Sequence, residues 1–176
     1  IEAGHPVPDT AGESASREIL ERAAALQPGD LLLVLISGGG SSLLSLTVPD
    51  VSMDDLRRVT RDLLASGAPI EQMNVVRKHL SQIAGGRLGA AAAARGGRVL
   101  ALIISDVTGD APTDIASGPC APDPSTYEDA RKVLQRWNVS PPPAIDRWLL
   151  RGALGEIGET PKPGDPLFTR IENRVI

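Results

Sequence analysis

Two short apolar runs constrain the fold of this chain more than any other feature of its sequence. Leu31–Ile36 and Val99–Ile104 are six residues long, and each lies between polar or glycine-containing turns. Continuous apolar runs of this length are typical of strands buried on both faces of a parallel sheet. We therefore predict two such strands, and a third strand that begins at Ile171.

Helical patterns occupy the segments between these strands. Thr10 and Glu13 have the spacing of a capping box, which predicts a helix that begins after Thr10 and ends before Pro28. Ser52 is the expected N-cap of a second helix. The further predicted helices span residues 70–83, 88–94, 127–137 and 144–150. Strands that alternate with helices indicate an α/β fold, here a Rossmann-like, three-layer fold with a mostly parallel sheet and helices on both faces.

Composition excludes several classes of protein. The chain has 176 residues, of which 41% are hydrophobic and 23% charged, and its net charge is −4. This profile is neither that of a disordered chain nor that of a basic nucleic-acid binder. No apolar run approaches the length of about 20 residues that spans a bilayer. With Cys120 as the single cysteine, no disulfide forms within the chain, and a cytoplasmic location is expected.

Each of the first two predicted strands leads into a polar loop, Ser37–Ser42 or Ser105–Asp123. In parallel sheets, ligands bind beyond the carboxyl ends of the strands. Glycine N–H groups, serine hydroxyls and the start of a helix favour an anion at the first loop, although a tight turn without a ligand has the same composition. The loop matches neither the Walker A pattern, nor the dinucleotide fingerprint, nor the hydrolase nucleophile elbow.

The second loop carries three carboxylates, Asp106, Asp110 and Asp114. Asp106 and Asp110 are candidates for holding Mg²⁺ or for accepting a proton from a substrate hydroxyl. For Asp114 an ordinary turn or capping role explains the residue equally well.

Further candidates lie outside these loops. Arg77 and Lys78 share the predicted polar face of their helix with Asn74, where adjacent cations suit phosphate or carboxylate recognition. The alternative for this face is simple solvation. His5 lies in a proline-framed loop that could present its side chain, whereas a structural role is expected for His79.

The motifs together resemble the glycerate 2-kinase family, MOFRL-family proteins often labelled hydroxypyruvate reductases. The segments that carry the resemblance are 4–9, 36–44, 74–81, 85–88, 105–110 and 116–119. The resemblance implies transfer of the γ-phosphoryl group of ATP to the 2-hydroxyl of D-glycerate, with Mg²⁺, to give 2-phosphoglycerate. It also implies that residues 1–176 form a single partial domain, the central part of a larger N-terminal domain, with a second domain and two further active-site cations outside them.

Within this resemblance each candidate acquires a role. Residues 38–41 would present amides and hydroxyls to phosphate or to the glycerate carboxylate, while Arg77 and Lys78 would offset negative charge. Asp106 or Asp110 would bind Mg²⁺ or activate the hydroxyl, in an order that stays open. The residues expected to contact substrate or phosphate are His5, Ser37, Gly38, Gly39, Gly40, Ser41 and Asn74.

Other functions remain open at this point. The alternatives are an NAD(P)H-dependent hydroxypyruvate reductase and a non-catalytic ligand-binding domain. The expected partners are D-glycerate and a nucleotide, with neither nucleic acid nor membrane, and homo-oligomer formation is left open.

Overall fold

A parallel sheet of three strands organises the chain. The computed structural model describes residues 2, 4, 9–105 and 109–176. Strands β1 (Leu31–Ile36), β2 (Arg98–Ile103) and β3 (Ile171–Val175) pair in the order β1-β2-β3. Both pairings are parallel, and Ile103 on the central strand lies opposite Ile36 on one side and Val175 on the other. The predicted α/β class and the third strand are confirmed.

Helices form both connections between the strands. The helices are α1 (Thr10–Ala24), α2 (Gly40–Leu43), α3 (Met53–Ser66), α4 (Ile70–His79), α5 (Arg87–Ala93), α6 (Tyr127–Arg136) and α7 (Pro143–Ala153). Short 3-10 turns at Ile115–Ser117 and Pro166–Arg170 complete the second connection. In the part of the chain that the structure describes, none of these helices has the length and apolar character needed to cross a membrane.

The first helix begins one residue away from the predicted capping box. The N-cap is Asp9, whose carboxylate accepts a hydrogen bond from the Gly12 amide at 2.8 Å, and Thr10 is already helical. The prediction of Thr10 as N-cap is therefore wrong. A capping box does form at α3, where Ser52 and Asp55 bond each other's backbone amides.

Helix α4 is shorter than the predicted helix over residues 70–83. It ends at His79, because Ser81 leaves the helical path to form a bridge with Thr47. The Ser81 hydroxyl oxygen accepts hydrogen bonds from the amides of Ile83 and Ala84. Such local side-chain bonds compete with a helix and form a turn instead.

Two apolar clusters hold the fold together, one under the sheet and one among the helices. The sheet cluster includes Ala23, Ile36, Ile83, Leu88, Ala92, Val99, Ala101 and Ile103. The helical cluster includes Leu56, Val59, Leu63, Met73, Val76, Leu80, Tyr127, Ala130, Ile145 and Leu149. Helix α4 contacts both α3 and α6, which places the helical cluster directly beside the turn that follows α4.

The apolar run of β1 predicted a strand buried on both faces, and this prediction is wrong. Leu33 and Leu35 are 53% and 75% exposed, whereas Ile36 is buried. Helices α1 and α5 contribute to the cluster on one face of the sheet, and the opposite face is left open among the described residues. Of the predicted three layers, these residues therefore form the sheet and one helical layer.

Candidate functional site

The two polar loops meet at one edge of the sheet, as the strand pattern predicts. The Ile104 amide donates to the Ile36 carbonyl at 2.8 Å, which keeps both chains paired to the point where the strands end. Beyond it, the hydroxyl oxygens of Ser41 and Ser117 lie 2.9 Å apart. The carboxyl ends of β1 and β2 therefore bring serines of both loops together.

The glycines of the first loop have structural reasons of their own. Gly39 has a φ of 78°, a left-handed conformation that favours glycine. A Cβ on Gly40 would lie 2.8 Å from the Cβ of Ala116. The helix that follows, α2, is a single turn of four residues, so the expected helix-dipole contribution to anion binding is small.

We expect Gly40→Ala to destabilise the chain by about 1–3 kcal/mol, because the added methyl overlaps Ala116. Ala116 has a φ of 51°, so Ala116→Gly relieves backbone strain and also makes room for the methyl. The double variant Gly40→Ala/Ala116→Gly should therefore recover most of the loss. Urea denaturation of the three variants measures this, and a double variant no more stable than Gly40→Ala would contradict the packing argument.

A chain of hydrogen bonds connects the two loops to α4. The Ser117 hydroxyl donates to Oδ1 of Asn74 at 3.2 Å, and Nδ2 of Asn74 donates to the Asp114 carbonyl at 3.4 Å. Because Ser117 has only one hydroxyl hydrogen, Ser41 is the donor in the 2.9 Å contact between the two serines. Ser41 therefore organises the site, and its own hydrogen is not free for an anion in this arrangement.

Arg77 is a cation of the site that has no partner among the described residues. It lines a narrow cleft with Ser41, Ser81 and Ser117, and its side chain forms neither a hydrogen bond nor an ion pair with any residue in the described ranges. Burial lowers the pKa of its guanidinium, which nevertheless stays protonated. A partly desolvated charge without a carboxylate partner favours an anionic ligand. The cleft has a volume of about 20 Å³, room for one water molecule, so it forms the floor of a site rather than a complete substrate pocket.

The helix pattern predicts Lys78 on a polar face, with solvation as the alternative to ligand binding. The structure instead buries its side chain. Its side chain is 5% exposed, and Nζ lies 3.2 Å from Oδ1 of Asp123, which is fully buried. Lys78 follows Arg77 directly, and neighbouring residues in a helix point in different directions. Lys78 and Arg77 therefore do not act as a pair of cations on one ligand.

The predicted structural role of His79 is confirmed. Its ring is fully buried and meets the Tyr127 ring edge-on, with centroids 4.8 Å apart. Nδ1 lies 2.8 Å from the Val75 carbonyl and Nε2 lies 3.2 Å from Oε2 of Glu159. Burial lowers the pKa of His79, against the raising effects of that carbonyl and of the carboxylates of Asp123 and Glu159.

The pKa of Asp123 predicts how stability depends on pH. Burial alone raises this pKa, but the charge of Lys78 and two hydrogen bonds from Ser125 hold it below its usual value. A depressed folded-state pKa stabilises the fold above the unfolded value of about 4, and this contribution is lost as the pH falls through the folded pKa. We expect the free energy of unfolding to decrease as the pH is lowered below about 4, and to decrease less steeply in Asp123→Asn. Denaturant unfolding at several pH values measures both slopes, and equal slopes would contradict the assignment.

Of the other predicted carboxylates, the two that the structure describes, those of Asp110 and Asp114, do not join this cluster. Asp110 is exposed, and its carboxylate has no hydrogen-bond or ion-pair partner among residues 9–105 and 109–176. Asp114 contributes only its carbonyl oxygen, in keeping with a turn role. Asp106 and His5 lie outside the described residues. Within the described residues, no three His, Cys, Asp or Glu side chains gather as a metal site, so the geometry of Mg²⁺ binding stays a prediction.

Sequence reasoning missed Ser117 and Asp123 as individual site residues. Both lie within the loop after β2, where polar residues are common and carry no distinctive spacing. The signal available for Ser117 was the small-residue stretch 116–119, in which Ala116, Ser117 and Gly118 all have positive φ. Asp123 shows an Asp-x-Ser pattern, and its carboxylate accepts from the Ser125 amide, an Asx turn.

A protein-family comparison matches residues 1–150 with a family described as a domain of unknown function, DUF4147. The chain belongs to this family. DUF4147 relatives include the D-glycerate 2-kinase of Thermotoga maritima, 46% identical over 161 residues, 92% of this chain and 36% of the relative. A putative hydroxypyruvate reductase of Agrobacterium vitis is 46% identical over 165 residues, 94% of this chain and 36% of the relative. The resemblance to the glycerate 2-kinases is confirmed.

A solved structure supports the same relationship. The crystal structure of the Thermotoga maritima glycerate kinase matches with a TM-score of 0.84 and 43% identity, over 99% of this chain and 39% of that chain. This match confirms the α/β fold of the DUF4147 chain. The chain spans a little over a third of the length of the relatives it matches, 36% in each of the two compared above.

Proposed function

We propose that the full-length protein transfers the γ-phosphoryl group of ATP to the 2-hydroxyl of D-glycerate, giving 2-phosphoglycerate. The observation that carries this proposal is the position of Arg77, whose guanidinium has no partner among the described residues and lies beside Ser41 and Ser117 at the carboxyl ends of parallel strands. The relatives named as glycerate 2-kinases supply the reaction. Phosphoryl transfer suits a site of this kind because positioning and charge neutralisation dominate its catalysis.

In this proposal Arg77 binds the carboxylate of D-glycerate. A guanidinium offers two parallel N–H donors that match the two oxygens of a carboxylate. Asn74 and Ser117 are engaged with each other and with the loops, so they fix the floor on which the acid rests. Residues 37–40 follow β1 directly, and we assign their backbone amides to a second anionic group, the phosphates of ATP.

Asp106 and Asp110 are the proposed Mg²⁺ ligands. Mg²⁺ commonly takes one or two carboxylates together with substrate phosphates, so this pair suits it without a larger protein cluster. When bound, the ion would neutralise the charge of the transferred phosphoryl group. One of these two aspartates is the proposed base for the glycerate hydroxyl. A cytoplasmic location completes the proposal, in keeping with a lone, buried thiol at Cys120.

Phosphorylation of D-glycerate by the full-length protein, with the product position read by phosphorus NMR, tests this function. Formation of 2-phosphoglycerate that depends on ATP and Mg²⁺ supports the proposal. Parallel assays with hydroxypyruvate and NADH test the reductase alternative suggested by the name of one relative. Reductase activity without phosphoryl transfer would overturn the proposal, as would tight binding of D-glycerate without turnover.

A further inference from the structure

Two residues of α4 fasten the loop that follows β2. Asn74 and Lys78 are four residues apart, and side chains at this spacing lie on the same face of a helix. Asn74 contacts the loop at Asp114 and Ser117, and Lys78 contacts its far end at Asp123. The last two turns of α4 therefore hold residues 114–123 in place through Asn74 and Lys78.

The ion pair between Lys78 and Asp123 is buried, and further hydrogen bonds hold its carboxylate in place. Oδ1 of Asp123 accepts from Lys78 Nζ at 3.2 Å and from the Ser125 hydroxyl at 2.7 Å, and Oδ2 accepts from the Thr160 hydroxyl at 3.0 Å. The Lys78 side chain is only 5% exposed, so the residues packed around it leave it little space to move. Lys78 could reach a substrate only by leaving a buried carboxylate unpaired, which is strongly unfavourable.

The same segment carries the groups that face the cleft. Arg77 precedes Lys78 in the chain, and Ser117 lies six residues before Asp123. The turn after α4 also bonds the loop, because the amides of Gly85 and Gly86 donate to the carbonyls of Ser117 and Gly118 at 3.0 and 2.7 Å. A shift of α4 against the loop would therefore move Arg77 relative to Ser117.

We propose that Lys78 and Asp123 are positioning residues, whose buried ion pair fixes Arg77 and Ser117 in the geometry that binds the anionic substrate. This proposal rests on the proposed function. It replaces the direct contact with substrate expected for Lys78 by an indirect action through Arg77, which itself touches the ligand. Displacements of about 1 Å at such a site lower activity by up to about a hundredfold. Rigid positioning of Arg77 can therefore offset the free energy that burying the ion pair costs.

Three variants of the full-length protein test the proposal: Lys78→Met, Asp123→Asn and the double variant. Both single variants should raise the KM for D-glycerate by about tenfold or more, with a smaller change in the KM for ATP. Each single variant should also lower the Tm, since one buried polar or charged partner is lost. In the double variant no buried charge is left unpaired, so the Tm should largely recover while the KM for D-glycerate stays raised.

Other roles give different patterns. If Lys78 bound the substrate directly, Asp123→Asn would leave the KM for D-glycerate near its wild-type value. If the pair served stability alone, the KM would return to normal in the double variant together with the Tm. Either pattern overturns the proposal. Leu149→Ala is the matched control, because it removes buried volume from the helical cluster and should lower the Tm without changing the KM.

Amide hydrogen exchange gives a measurement that does not depend on activity. Residues 117–123 should exchange faster in the double variant than in the wild type, because the ion pair that holds this loop against α4 is lost. Unchanged exchange would overturn the proposal. A wild-type protein that does not phosphorylate D-glycerate would refute the proposed function. The exchange measurement would then decide by itself whether the ion pair positions this loop.

Discussion

Replacing Arg77 by methionine is expected to lower kcat/KM for D-glycerate by about tenfold to a hundredfold, the effect of losing a charge-assisted hydrogen bond of about 1.5–3 kcal/mol. Methionine preserves much of the length of the side chain and removes only the guanidinium. Arg77 forms neither a hydrogen bond nor an ion pair within the described ranges, so no internal partner is orphaned by the change. Stability should therefore stay the same or rise, because a desolvated charge is removed.

The combination of lost activity and preserved stability distinguishes a ligand-binding arginine from a structural one. Steady-state kinetics and thermal unfolding of the full-length protein measure the two quantities. Arg77→Lys should fall between the wild type and Arg77→Met, because lysine retains the charge and loses the two-pronged geometry. Arg136→Met, at an exposed position at the end of α6, serves as the control and should leave kcat/KM unchanged. An Arg77→Met enzyme with normal kinetics would remove this residue from the site.

The sequence allowed the edge of the sheet that carries the site to be predicted, because two apolar runs each led directly into a polar loop. Strands of one parallel sheet place their carboxyl ends together, so the meeting of Ser41 and Ser117 follows from the pattern. The exposure of Leu33 and Leu35 could not be predicted, because an apolar run does not show whether residues 9–105 and 109–176 cover one face of the strand or both.

The roles of Arg77 and Lys78 could not be separated from sequence. Both are cations at the polar side of one helical pattern, yet Arg77 faces the cleft and Lys78 pairs with Asp123, 45 residues along the chain. Only the tertiary fold brings that carboxylate to α4. The glycines of the first loop had a similar ambiguity, because a left-handed φ at Gly39 and the close approach of Gly40 to Ala116 explain them without a ligand.

Gly152 is a further residue whose role could not be predicted, because it lies two residues beyond the predicted helix over residues 144–150. The residue lies inside α7 and is buried against the ring of Tyr127, which is fully buried. A Cβ on Gly152 would lie 2.5 Å from Cδ1 of Tyr127 and closer still to Cγ. Glycine is therefore required because the Tyr127 ring already occupies the space that a side chain at position 152 would fill.

Gly152→Ala should consequently destabilise the chain by more than about 2 kcal/mol, because the overlap with a buried ring exceeds the gain in helix propensity of about 1 kcal/mol. Urea denaturation measures the loss. Gly158→Ala is the matched control, because a Cβ there meets no atom within 4 Å, and it should change stability by less than about 0.5 kcal/mol. Pairing Gly152→Ala with Tyr127→Leu should cost less than the sum of the single changes, since the smaller side chain leaves room for the methyl. Strict additivity would show that the Tyr127 ring is not what excludes a side chain at position 152.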